Sequence, residues 1–61
     1  MLRLVGYDAQ ARVLEVVFNT GDQYRYIDVP ADEYEGLMSA DSIGKYMHQH
    51  IIDHYEYERV S

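Results

Sequence analysis

Tyr24-Arg25-Tyr26 puts two phenol rings on one side of an extended segment and a cation on the other. Rings at that spacing could stack on unpaired nucleobases, as sheet aromatics do in RNA-binding modules. The same rings could pack into a core with their hydroxyls hydrogen-bonded at its margin. His50 and His54 stand four residues apart, which would align two metal ligands on a helix, with Asp53 or Asp41 beside them. No third ligand is fixed by the spacing, so neither a metal site nor any other cofactor is expected. Ser42 near a histidine has the residue types of a nucleophile and its base. Yet the chain has no cysteine, and nothing in it supplies an oxyanion hole. A chain of 61 residues rarely encloses the roughly 300 Å³ expected of a ligand site. An enzyme is not expected.

Eleven acidic residues against five basic ones give a formal charge of −6. Phosphate binding draws its non-specific affinity from clustered Lys and Arg. Arg3, Arg12, Arg25, Lys45 and Arg59 are scattered, so the charge disfavours nucleic acid and favours a basic protein partner or plain solubility. The length allows one domain over 1–61, which buries only about 60% of the surface its unfolded chain exposes. Without cysteine, disulfides and thiolate metal sites are closed to it. Self-association as a homodimer, or a very efficient core, is the remaining remedy. No run reaches the roughly 18 apolar residues of a membrane span, and no signal sequence is read at the N-terminus. A cytoplasmic protein is expected.

The elements that must position these residues follow from periodicity. Leu2 to Tyr7 and Arg12 to Phe18 read as strands, the second rich in β-branched residues. Asn19-Thr20-Gly21 reads as a three-residue hairpin loop, with Gly21 as its left-handed residue. With Phe18 opposite Asp22, Val16 faces Tyr24 and Leu14 faces Tyr26. Leu14, Val16, Phe18, Tyr24 and Tyr26 then share the core face. Val13, Glu15, Val17, Gln23, Arg25 and Ile27 take the outer face, whose apolar members make it a candidate contact surface.

Pro30 suits the first turn of a helix, and Asp32, Glu33 and Glu35 complement its dipole. Tyr34, Leu37 and Met38 form its apolar stripe, with Gly36 and Ser39 keeping it short. Asp41 or Ser42 caps a second helix, whose apolar face is Ile43, Tyr46, Met47, His50 and Ile51. Gly44 inside it predicts a close backbone approach, since glycine costs up to ~1 kcal/mol there. In the tail, Tyr55 and Tyr57 alternate as in a strand, and a short extended segment closing the sheet edge is predicted. The fold class is α+β: a small antiparallel three- to four-stranded sheet with two helices on one face, in the order β-β-β-α-α-(β).

This arrangement resembles a known family, the KTSC domain. The resemblance rests on Gly6-Tyr7-Asp8, Leu14-x-Val16-x-Phe18, Gly21, Tyr24-x-Tyr26 and Val29-Pro30. Tyr34, Leu37, Ala40, Ser42-x-Gly44-x-Tyr46, Ile51 and Tyr55 continue it. The family is found at the C-terminus of some lysyl-tRNA synthetases and as small stand-alone bacterial or phage proteins. It implies a domain of uncharacterised biochemical role, for which RNA binding is one suggestion. This chain carries Met47-His48-Gln49 where many relatives have an asparagine after the second-helix aromatic.

A non-enzymatic protein-interaction module is the expected function. RNA or single-stranded nucleic-acid binding through the Tyr-x-Tyr strand is the alternative. Candidate binding residues are Tyr24, Arg25, Tyr26, Ile27, Val13, Val17, Lys45, Tyr46 and Tyr57, the last expected to be exposed. Gly21, Pro30, Ser42 and Gly44 are structural.

Overall fold

The computed structural model describes residues 2–60. The order is β1 (Leu2–Asp8), β2 (Val13–Phe18), β3 (Gln23–Tyr26), α1 (Ala31–Ser39), α2 (Ile43–Tyr46), a π-helical turn (Met47–Ile51) and β4 (Tyr57–Arg59). The strands form one four-stranded antiparallel sheet in the order β1-β2-β3-β4. This is the α+β order read from the sequence, and the tail does close the sheet edge as a strand.

The β2–β3 hairpin forms as its loop dictates. Gly21 takes φ +96°, and its N–H donates to the Phe18 carbonyl at 2.8 Å. Val16 pairs with Tyr24 and Leu14 with Tyr26. On the other side of β2, Leu2 faces Phe18 but Leu4 faces Val17, so Arg3 is an extra residue in β1. A bulge of this kind reverses side-chain parity. It sends Leu2 toward the core and leaves Leu4 62% exposed. β2 begins at Val13 rather than Arg12, because Arg12 sits at φ +58° and is a turn residue.

The core is Leu14, Val16, Tyr26, Val29, Leu37, Met47 and Ile51. Strand residues meet helix residues here, so both helices lie on the Leu14 face of the sheet. Two members of the expected core face are only half-buried. Phe18 and Tyr24 lie toward the hairpin end, where helical cover is incomplete. Met38 also leaves the expected stripe and is 48% exposed. In a helix as short as α1, Leu37 alone is fully buried and Tyr34 reaches sideways to stack on Tyr7, centroids 4.8 Å apart. The Tyr7 hydroxyl then donates to the Val29 carbonyl at 2.6 Å, which ties β1 to the β3–α1 connection.

Pro30 is the residue just before α1, not its first turn. Ser42, not Asp41, caps α2: its Oγ accepts from the Lys45 N–H at 3.2 Å. The second helix is not α-helical throughout. The Ile52 N–H donates to the Met47 carbonyl at 2.7 Å, five residues back, so the last turn widens. Met47 and Ile51 stay buried, but His50 leaves the apolar face and lies exposed. A close approach of the kind predicted at Gly44 is made at Gly36, where a Cβ would stand 2.8 Å from Tyr46 Cζ. Gly44 is half-buried within α2.

Candidate functional site

The predicted binding residues fall into separate places. Val13, Val17, Arg25 and Ile27 belong to the outer face of the sheet, and Tyr24, Tyr26 and Tyr57 to the inner face near β4. Lys45 and Tyr46 sit on α2. The fold does not gather them into one site.

The outer face is ordered in cross-strand rows. One row is Gly6, Glu15, Arg25 and Glu58. Within it, Arg25 Nε donates to Glu15 Oε2 at 3.0 Å. The neighbouring row is Leu4, Val17 and Gln23, and the Val60 N–H donates to the Gln23 carbonyl at 2.8 Å. Leu4 and Val60 are 62% and 47% exposed. Gly6 contributes no side chain to its row, so a concavity of about 420 Å³ opens between Asp8, Val13, Glu15 and Arg25. A Cβ built on Gly6 meets nothing within 4 Å, which shows how open this floor is. With two carboxylates against one guanidinium the Gly6 row is net negative, and it lies beside an apolar row that another protein can cover.

At the β3–β4 edge the inner face carries an aromatic cluster. Tyr26 is buried and Tyr24 half-buried, while Tyr57 is 58% exposed as predicted. Burial is the main cause that holds the Tyr26 hydroxyl above its ordinary pKa, with Tyr24, Tyr57 and Asp53 adding to it. Stacking on a flat base needs open ring faces. Tyr26 has lost its faces to the core, so the two rings cannot both serve as a base platform.

Sequence reasoning missed a third cluster. Glu33 on α1 accepts from the Tyr46 hydroxyl at 2.9 Å and from the Tyr55 hydroxyl at 3.5 Å, and His50 Nδ1 lies 3.9 Å away. Tyr46 and His50 stack at 4.2 Å. Burial first, then Glu33, raises the pKa of both phenols, which remain protonated donors. These contacts bridge residues 13 and 22 apart in sequence, a separation with no local signal. They tie α1 to α2 and to the tail.

The cations are largely spoken for. Arg12 pairs with Asp28 at 3.7 Å, Arg25 with Glu15 at 3.0 Å and Arg59 with Asp22 at 2.7 Å. Among the described residues, no group of three or more side chains gathers to hold a metal, and no helix is long and apolar enough to cross a membrane.

Comparison with known proteins agrees with this architecture. The family model of the KTSC domain matches residues 1–55. The chain is 42% identical over 60 residues to an uncharacterized protein of Stutzerimonas stutzeri, covering 97% of this chain and 84% of the relative. It is 30% identical over 46 residues to a protein of Tsukamurella paurometabola, covering 75% and 69%. The crystal structure of a KTSC domain protein from Yersinia pestis superposes with a TM-score of 0.95 at 28% identity, covering 98% of this chain and 84% of that one.

Proposed function

Given that this chain belongs to the KTSC domain family, we propose that it is a non-enzymatic protein-interaction module that docks through the outer face of its sheet. The observation that carries this reading is the glycine-floored concavity beside exposed Leu4 and Val60 and half-buried Val17. The helices leave this face uncovered, and its Arg25 is paired within the chain to Glu15. The partner is a protein with an apolar ridge that enters the concavity. A second copy of the chain would use the same surface. We take the cytoplasm as the place of action, since a cysteine-free chain calls for no oxidising compartment.

Nucleic-acid binding is the weaker reading. Three of the five cations are engaged by carboxylates of the same chain, which leaves little to neutralise phosphates. Tyr26 is also unavailable for stacking.

Gly6→Thr and Val17→Lys separate folding from docking. The first fills the concavity with a strand-favouring residue, and the second places a charge in the apolar row. Binding of a captured protein, or self-association measured by light scattering, is expected to weaken by at least about ten-fold, or ~1.4 kcal/mol, with either variant. Lys45→Ala, on the other side of the molecule, is expected to leave it unchanged. Binding insensitive to both outer-face variants defeats the proposal. Salt-dependent oligonucleotide binding lost in Tyr24→Ala establishes the alternative.

A further inference from the structure

The margin of the core near β4 is aromatic. Four aromatic side chains stand there in a chain of contacts. Phe18 meets Tyr24 at 5.6 Å and 72°, Tyr24 meets Tyr57 at 5.4 Å and 85°, and Tyr26 meets Tyr57 at 5.7 Å and 45°. The rings touch one another edge to face or tilted, and the surfaces they leave uncovered border a groove. Ile52 and Asp53, from the turn after the π-helical segment, also line the groove. The space between is about 210 Å³.

The size restricts the occupant. Sites for metabolite-sized ligands run from about 300 Å³ upward. This groove has room for the head of one side chain. Its chemistry restricts the occupant further. The face of an aromatic ring carries negative quadrupole charge and attracts ammonium and guanidinium groups. Asp53 adds a formal charge at the rim, and its backbone is held at φ +69°, a left-handed conformation uncommon outside glycine and asparagine-like residues. The chain already places a cation on this cluster from one side. Arg59, tied to Asp22 at 2.7 Å, has its guanidinium carbon 6.0 Å from the Tyr24 centroid. The formal charge of −6 draws cations toward the whole molecule.

We infer that the groove formed by Phe18, Tyr24, Tyr26, Ile52, Asp53 and Tyr57 is a binding site for the ammonium head of a lysine or methylated-lysine side chain on a basic protein partner. The ring surfaces that Tyr24 and Tyr57 leave uncovered would flank the head, and the Asp53 carboxylate would neutralise it. This deepens the protein-interaction reading, on which the choice of a protein partner rests. It uses the face of the sheet opposite the outer concavity.

The test is a titration of the full chain followed by NMR. The probe is the amide of N-acetyl-Nε-trimethyllysine. The control is its uncharged isostere, with carbon in place of the ammonium nitrogen. The probe is expected to shift signals of Phe18, Tyr24, Tyr57 and Asp53 saturably. The isostere is expected to bind about ten-fold more weakly, because the ring quadrupole rewards only the charge. Tyr57 is 58% exposed, so Tyr57→Ala should fold, and it should abolish the shifts while Tyr57→Phe retains them. Asp53→Asn should weaken binding several-fold. Equal binding of probe and isostere, or no saturable shift at all, overturns the inference. A chain that ignores the probe yet retains a partner sensitive to Gly6→Thr loses the groove alone. A chain that binds the probe but no protein through its outer face loses the docking reading alone.

Discussion

Gly36→Ala inverts sign with its background, and the inversion measures a contact between the two helices. Gly36 lies in the middle of α1, where replacing glycine with alanine should stabilise by up to about 1 kcal/mol. The added Cβ would stand 2.8 Å from Tyr46 Cζ and 3.2 Å from Cε2, so the phenol must move. It has little freedom to do so. Its ring stacks on His50 at 4.2 Å and its hydroxyl donates to Glu33 at 2.9 Å. Overpacking of this kind costs about 1–3 kcal/mol. A hydrogen bond to a carboxylate contributes about 1.5–3 kcal/mol, and less at a half-exposed position. Loss outweighs gain by roughly 1–3 kcal/mol. For a domain of this size, each kcal/mol moves the melting temperature by about 4–8 °C. Gly36→Ala alone should therefore melt roughly 4–24 °C lower. In a Tyr46→Ala background the obstacle is gone, and the same substitution should raise stability by about 0.5–1 kcal/mol. Urea unfolding of the two pairs of proteins measures both effects. A stabilising Gly36→Ala in the presence of Tyr46, or the same sign in both backgrounds, refutes the packing argument.

Two further predictions concern stability. Arg12 holds φ +58°, which costs an L-residue about 1–2 kcal/mol, and its ion pair with Asp28 is exposed and contributes about 0–1 kcal/mol. Arg12→Gly should thus stay within about 1 kcal/mol of the parent, whereas Arg12→Val should fall about 1–2 kcal/mol below the glycine variant in urea unfolding; equal stability of the two would contradict the left-handed turn. Tyr26, Tyr46 and Tyr55 have folded-state pKa values above the ordinary one, burial being the first cause in each. The folded state therefore holds these protons more tightly than the unfolded chain does. The stability they contribute is complete below the unfolded value of about 10 and lost as pH rises through the folded values. Urea midpoints should be flat up to about pH 9 and then fall, with a shallower fall in Tyr46→Phe; a midpoint that rises with alkali would reverse the assignment.

The hairpin register and the positive φ at Gly21 were legible because each depends on neighbours in sequence; the cap was narrowed to Asp41 or Ser42, and the alternation of Tyr55 and Tyr57 pointed to the edge strand. Alternation in Val13–Phe18 assigns faces, and one glycine three residues past Phe18 sets which residues meet. The outer face was half legible. Val13, Val17, Arg25 and Ile27 were assigned to the outer face by parity alone. Leu4 could not be, since its face depends on the bulge at Arg3. The groove was visible only as Tyr24, Tyr26 and Tyr57; Ile52 and Asp53 reach it through the turn after the π-helical segment.

From the amino acids alone come the elements, their order and the pairing of the central strands, because turn chemistry and two-residue periodicity act over a few bonds. Which surfaces are left open was decided by tertiary structure. The widened turn at Met47–Ile51 turns His50 outward, the Arg3 bulge exposes Leu4, and Glu33 collects two phenols from distant segments. Each depends on how closely two elements can approach, a three-dimensional quantity that no local pattern encodes.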